Sequence, residues 1–139
     1  MNDYTNKYYI EIVQRLSNGQ SLNYYSKDKV AINDLKYYLF RCGYKPFIID
    51  NYPNLLENKE ALLEALFYEM NLFDMYDLNW DSLSEGLEKQ ISNVTHDHLI
   101  LFSNRNKLKK IESEIEVLTE VVNEVNSNNT FKYKIVIGE

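Results

Sequence analysis

Cysteine, histidine, glycine and proline are scarce in this chain of 139 residues, and each scarcity excludes something. The chain has one cysteine, two histidines, four glycines and two prolines. The single cysteine, Cys42, excludes an internal disulfide and a zinc site built from several cysteines, and we expect it to be buried as a small apolar group. A Gly-rich phosphate loop and a nucleophile elbow are also missing from the sequence, which argues against common enzyme classes.

Long hydrophobic runs are missing as well. No apolar stretch approaches the roughly 20 residues that span a bilayer. The first residues, MNDYTNKYYI, contain no apolar core of a secretory signal. With 45% hydrophobic and 26% charged residues the composition is that of a globular protein, and we expect it to be cytoplasmic.

Basic residues are nearly absent from one stretch, and that stretch produces the negative net charge of −6. Residues 57–88 contain nine acids and a single base, Lys59, whereas residues 1–44 contain six bases and four acids. An acidic surface repels nucleic acid and attracts basic partners, although it also serves simply to keep a protein in solution.

Residues 1–44 are predicted to form an N-terminal helical extension of two helices, joined by a loop through Ser21 and Ser26. Each predicted helix carries apolar residues at helical spacing on one side; Gly19 is expected to end the first helix and Gly43 the second. Cys42 is expected to face inward from the second helix. Eight of the 12 tyrosines lie in this segment. They favour packing at a domain boundary, with stacking on nucleic-acid bases as the alternative.

Residues 45–139 are predicted to form one α/β domain in the order strand, helix, helix, strand, helix, strand. Short apolar runs mark strands at residues 46–49 and His98–Phe102, and alternation marks a last strand at residues 131–137. Asn58 and Asn79 are predicted helix N-caps. Strands that alternate with helices indicate a parallel sheet, so we expect a small three-stranded parallel sheet packed with helices.

The segment NLFDMYDLNWDSLSEGL, residues 71–87, resembles the signature of barstar-like ribonuclease inhibitors. In that family an aromatic loop leads into a helix that begins with asparagine, an apolar residue and aspartate, and carries a second acid four residues later. Asn79, Trp80, Asp81 and Glu85 occupy those positions here. The element order over residues 45–139 is similar too.

The resemblance implies an inhibitor, not an enzyme, that occludes the active site of a basic ribonuclease without a cofactor. The acids would replace RNA phosphates against the target's cationic groups. By resemblance Asp81 and Glu85 are the central contacts, and Glu124, or else Glu120, matches a glutamate on the later helix. The remaining predicted partner-binding residues are Asp74, Met75, Tyr76, Asp77 and Trp80, of which Trp80 has burial in the core as its alternative.

The residues themselves favour the same surface. Asp81 and Glu85 are four positions apart and therefore share one helix face, where like charges repel slightly. Asp81 in the first turn is favoured by the helix dipole. Against the family pattern, Met75 replaces an aromatic residue, Asp77 a glycine and Ser84 an aromatic residue, and the second acid is glutamate. These departures indicate a target other than the family's best-known ribonuclease, such as a ribonuclease-type toxin for which this is the immunity protein.

Two other interpretations remain open at this point. The acids at Asp74, Asp77, Asp81 and Glu85, or the pair His96 and His98, could bind a divalent metal in an enzyme. Alternatively, the acidic surface could bind a basic protein that is not a nuclease, because folds are reused. Direct nucleic-acid binding is disfavoured by the overall negative field.

Overall fold

The chain is an α/β protein with a four-stranded parallel sheet. The computed structural model describes residues 3–72 and 77–139, with side chains from Lys7 onward. Within these residues the elements are α1 (Asp3–Leu16), β1 (Leu22–Tyr25), α2 (Ile32–Arg41), β2 (Lys45–Ile48), α3 (Lys59–Glu69), α4 (Trp80–Ser92), β3 (His98–Phe102), a 3₁₀ segment (Arg105–Ile111), α5 (Glu112–Ser127) and β4 (Tyr133–Gly138).

The strands lie in the order β1-β4-β3-β2, and all neighbouring pairs are parallel. His98 of β3 lies opposite both Lys45 of β2 and Tyr133 of β4, while Leu22 of β1 pairs with Ile135 of β4. Each parallel connection requires a crossover, and the helices between the strands provide it. The strands β2, β3 and β4 are those predicted from the sequence.

The prediction of a three-stranded sheet was wrong, because β1 adds a fourth strand in a region predicted to be a loop. The segment Leu22–Tyr25 is four residues long, and its second and fourth residues, Asn23 and Tyr25, are buried. Period-2 alternation over four residues is too short a signal to separate from a tyrosine-rich loop. The segment 1–44 therefore contributes a strand as well as two helices.

Helices cover both faces of the sheet and create two apolar cores. We call the larger one the α3–α5 core; its buried residues include Phe47, Ile49, Leu62, Leu63, Leu66, Leu83, Leu87, Ile100, Phe102, Leu118, Val122, Tyr133, Ile135 and Ile137. The α1–α2 core on the opposite face consists of Tyr9, Ile12, Leu16, Tyr25, Val30, Leu35, Leu39, Ile48, Leu99, Leu101 and Val136. Burial on both faces explains why β3 reads as a nearly continuous apolar run.

Most local signals agree with the structure, but one residue that was predicted to be buried is exposed. The Asn58 side chain accepts a hydrogen bond from the Ala61 amide at 2.8 Å, so the predicted cap of α3 is confirmed. Cys42 is exposed, contrary to the prediction that it is buried. The helix α2 ends at Arg41, so Cys42 sits at its C-cap, where the buried helical face does not continue.

Two lysines in or next to β4, Lys132 and Lys134, donate hydrogen bonds to backbone carbonyls at the C-terminal ends of helices. The Lys134 ammonium group, buried beneath α1, donates to the Leu16 carbonyl at the end of that helix. The Lys132 ammonium group donates to the Asn126 and Asn129 carbonyls at the end of α5. A cation at a helix C-terminus neutralises the negative end of the dipole. Among the described residues, no helix is both long and apolar enough to cross a bilayer.

Candidate functional site

The helix α4 carries the predicted acidic pair, and its start is defined by an asparagine cap. Asn79 has an extended backbone, and its side chain accepts a hydrogen bond from the Ser82 amide at 2.8 Å. This bond satisfies one of the four amides that an α-helix leaves unpaired at its start. Asp81 follows in the first turn, where the helix dipole stabilises its negative charge.

The two faces of α4 separate apolar from acidic residues. Leu83 and Leu87 are completely buried in the α3–α5 core, whereas Asp81 and Glu85 are exposed. Residues four apart stack on the same side of a helix, so each pair forms its own stripe. The structure therefore places both predicted acids together on the solvent side of one helix.

The acidic pair has no internal counter-ion in the described part of the chain. The ion pairs found there are Lys27 with Asp28 at 3.5 Å and Arg105 with Glu139 at 3.9 Å, and neither involves α4. Lys89 follows Glu85 by one turn without forming an ion pair with it. Two exposed carboxylates that form no ion pair with the described residues can both engage cationic groups of another molecule.

Hydrogen bonds fix the rear of α4 to the rest of the fold. The Tyr133 hydroxyl of β4 donates to the Leu87 carbonyl at 2.7 Å and lies 2.8 Å from Gln90 Oε1. The Gln90 amide donates in turn to the Met70 carbonyl at the end of α3, also at 2.7 Å. Burial raises the pKa of the Tyr133 hydroxyl, which keeps it protonated as a donor. The acidic face is thus carried by a helix held from behind.

The residues around the acids divide between surface and core. Asp77 is exposed, as a partner contact requires. Trp80 is half-buried and packs against the α3–α5 core, so part of its ring is structural. Leu78, with 47% of its surface exposed, was missed by the sequence analysis. Its position between an acid and the N-cap was the available signal, because apolar residues just before a cap recur at helix starts.

The other predicted contacts lie on a different helix or outside the described residues. Glu124 and Glu120 are both exposed on α5, which packs against α4. A hydrogen bond from the Asn129 amide group to Glu88 Oε1, at 3.0 Å, joins the end of α5 to α4. Asp74, Met75 and Tyr76 lie outside the described residues, so the loop half of the predicted surface stays a prediction.

The histidines are arranged differently from a paired metal site. His98 is buried between the rings of Phe47 and Tyr133, each 5.6 Å away, and its Nδ1 donates to the His96 carbonyl at 3.1 Å. His96 is exposed and its ring contacts the Thr95 hydroxyl instead. Within the described ranges, no three histidine, cysteine or acidic side chains converge as metal ligands would.

Comparisons of the chain with protein-family models, with curated proteins and with solved structures found no match. The resemblance to barstar-like inhibitors therefore depends on residues 71–87 and on the element order from β2 onward. The candidate site combines the exposed acids Asp81 and Glu85 of α4 with the exposed residues just before its N-cap. We call this set the α4 acidic face: Asp81 and Glu85, the preceding Asp77 and Leu78, and the outer part of Trp80.

Proposed function

We propose that this protein inhibits a basic ribonuclease, or a ribonuclease-type toxin for which it is the immunity protein, by covering the active site with the α4 acidic face. The proposal needs no catalysis by this chain and no cofactor. Its support is the resemblance of residues 71–87 to the barstar-like signature. The observation that carries it is the pair Asp81 and Glu85, exposed on one face of a capped helix and forming no ion pair with any described residue.

The physical basis is charge complementarity. A ribonuclease active site is cationic because it binds phosphates, and two carboxylates on a rigid helix present negative charge at a fixed spacing. Such pairs raise the association rate and select the partner. Because α4 is already fixed by its cap and by Tyr133 and Gln90, little ordering is needed on binding.

The first test is capture of the target on the immobilised protein. A lysate of the source organism is applied at low salt, the column is eluted at high salt, and ribonuclease activity is assayed before and after elution. We expect a basic ribonuclease that is silent while bound and active once eluted. The alanine replacements Asp81→Ala and Glu85→Ala should each weaken its binding at least tenfold, about 1.4 kcal/mol.

The matched control is Glu60→Ala/Glu64→Ala, which removes two exposed acids four residues apart on α3. It changes the net charge as much as Asp81→Ala/Glu85→Ala but leaves the α4 acidic face intact. If both double variants lose binding equally, general charge and not this face attracts the partner. A specific partner without ribonuclease activity would instead favour the alternative, an interaction module of barstar-like fold whose target is not a nuclease.

A further inference from the structure

The strongest local concentration of positive charge lies far along the chain from the α4 acidic face. Residues 105–110, RNKLKK, contain four bases and no acid in a protein whose net charge is −6. They form the 3₁₀ segment that follows β3. Lys107, Lys109 and Lys110 are exposed, and the described residues provide no ion pair for them. The proposed inhibitor function makes no use of this cluster.

These lysines line a cavity beyond the carboxyl ends of β2 and β3. The cavity has a volume of about 430 Å³, and its opposite wall is the loop of residues 50–57. Ligands of open parallel α/β sheets bind at the carboxyl ends of the strands, typically where neighbouring connections leave to opposite faces. This cavity shares that edge of the sheet, although the connections after β2 and β3 both leave to the face of the α3–α5 core. The volume lies within the range of pockets that hold small ligands.

The loop wall of the cavity is held in place by hydrogen bonds. The Asn54 side chain donates to the Ile49 carbonyl at 2.9 Å and to the Glu69 carboxylate at 2.8 Å. The buried Asp50 carboxylate accepts bonds from the amide and hydroxyl of Ser103 at 2.8 to 2.9 Å. Leu56 is buried in the α3–α5 core. A wall fixed in this way is preorganised for a ligand.

The same wall exposes two large apolar side chains. Tyr52 has 93% of its surface exposed and Leu55 has 71%, although both line the cavity. An exposed tyrosine ring is a platform on which a nucleobase can stack, and neighbouring lysines attract phosphate. The exposed Glu57 at the same cavity has the chemistry that recognises ribose hydroxyl groups in other α/β proteins.

We propose that this cavity binds a nucleotide, with the base on Tyr52 and Leu55 and the phosphate at Lys107, Lys109 and Lys110. Three ammonium groups and the carboxylates of Asp50 and Glu57 line the cavity, so its local charge is positive. The nucleotide is either a free monophosphate or one unit of a single-stranded RNA, since both present the same base and phosphate.

Titration calorimetry on the intact protein tests the proposal with four probes: adenosine monophosphate, adenosine, inorganic phosphate and a short oligoadenylate. We expect adenosine monophosphate to bind with Kd below about 1 mM. Adenosine and phosphate alone should bind at least tenfold more weakly. If the oligoadenylate binds and the monophosphate does not, with the same dependence on the variants below, the nucleotide is part of an RNA strand.

Two variants and two matched controls assign the binding to the cavity. Lys107→Ala/Lys110→Ala should weaken binding at least tenfold, and Tyr52→Ala at least about fivefold, which corresponds to one stacked base. Lys36→Ala/Lys89→Ala and Tyr37→Ala remove the same groups from exposed positions elsewhere and should leave Kd unchanged. Asp81→Ala/Glu85→Ala should also bind normally, which separates this site from the proposed inhibitor function.

The proposal is overturned if neither nucleotide probe binds, or if phosphate binds as tightly as adenosine monophosphate. It is also overturned if Tyr52→Ala has no effect or if the control pair of lysines weakens binding equally. Melting temperatures of all variants identify any loss of binding that comes from unfolding.

Discussion

Four polar side chains buried at the sheet each form a hydrogen bond with a backbone group, and these bonds join the strands to neighbouring segments. Burying a neutral polar group without a partner costs roughly 1 to 3 kcal/mol, and burying a charged group such as that of Asp50 or Lys134 costs more. The pairs are Asn23 with the Gln20 carbonyl, Asp50 with the Ser103 amide, His98 with the His96 carbonyl and Lys134 with the Leu16 carbonyl. In each pair the backbone group lies in a turn, just beyond a strand or at the end of a helix, so the bond fixes that segment to the sheet.

His98 should make the stability of the protein depend on pH. Burial lowers its pKa below the ordinary value of 6.5 and outweighs the opposing effect of its hydrogen bonds to the backbone of His96 and Asp97, while the charges of Lys45 and the His96 ring also lower it. Below about pH 6.5 the unfolded chain therefore binds more protons than the folded one, and the free energy of unfolding decreases as the pH falls. The decrease for one group cannot exceed about 1.4 kcal/mol per pH unit.

Urea unfolding of the wild type and of His98→Gln between about pH 7 and pH 5.5 measures this contribution. The variant should have a shallower dependence on pH, while His96→Gln, which alters an exposed ring, should keep most of the wild-type slope. Equal slopes in all three proteins would mean that His98 titrates normally in the folded state.

Single residues show where sequence reasoning succeeds and where it fails. Leu83 and Leu87 lie four positions apart on the helix predicted after Asn79, and both are buried, because helical spacing decides which residues share a face. Cys42 fits the same spacing after Leu39, but the helix ends one residue earlier. Lys134 lies within the strand predicted over residues 131–137, yet no sequence pattern shows that α1 covers its side of the sheet.

At the scale of elements, the start of α4 decides how the acidic pair is presented. Asn79→Ala should lower the free energy of unfolding by about 1 kcal/mol, because it leaves the Ser82 amide without its partner. Asn79→Asp keeps an acceptor at the same position and should be nearly neutral. Urea unfolding of the three proteins tests this. A loss of equal size in both variants would assign the role of Asn79 to contacts other than the cap.

The elements that were predicted correctly are those whose signal is local. The helix α5 repeats Ile115, Leu118, Val122 and Val125 at the spacing of one face, and all four are buried. The strand β1 has no such local signal. It is stabilised by pairing with β4, which is more than 100 residues away in sequence, and a local pattern cannot show that pairing. Its place at the sheet edge is determined by that partner, and a short segment with Asn23 inside reads as a turn.

At the scale of the whole molecule, opposite charges are carried by different parts of one acidic protein. Nine of its acids lie within residues 57–88, which include α3 and most of α4, and four bases lie within residues 105–110 at the carboxyl edge of the sheet. Sequence alone revealed the acidic stretch. The basic cluster could be recognised as part of a candidate binding site only from the fold, which places the loop of residues 50–57 across a cavity from it. Composition does not show such long-range neighbours.

The division into an extension, residues 1–44, and a barstar-like domain, residues 45–139, is a prediction that truncation can test. A chain of residues 45–139 alone would expose Ile48, Leu99, Leu101 and Val136, which the full chain buries under α1 and α2. At roughly 1.5 to 3 kcal/mol for each side chain, the loss is comparable with the whole stability of a typical domain. Lys134 would also lose the Leu16 carbonyl that binds it.

We therefore expect the truncated chain to lack a cooperative thermal transition by circular dichroism, under conditions where the full chain has one. A cooperative transition in residues 45–139 would contradict this expectation, and would mean that the α3–α5 core is sufficient to fold the part of the chain that resembles the inhibitor family.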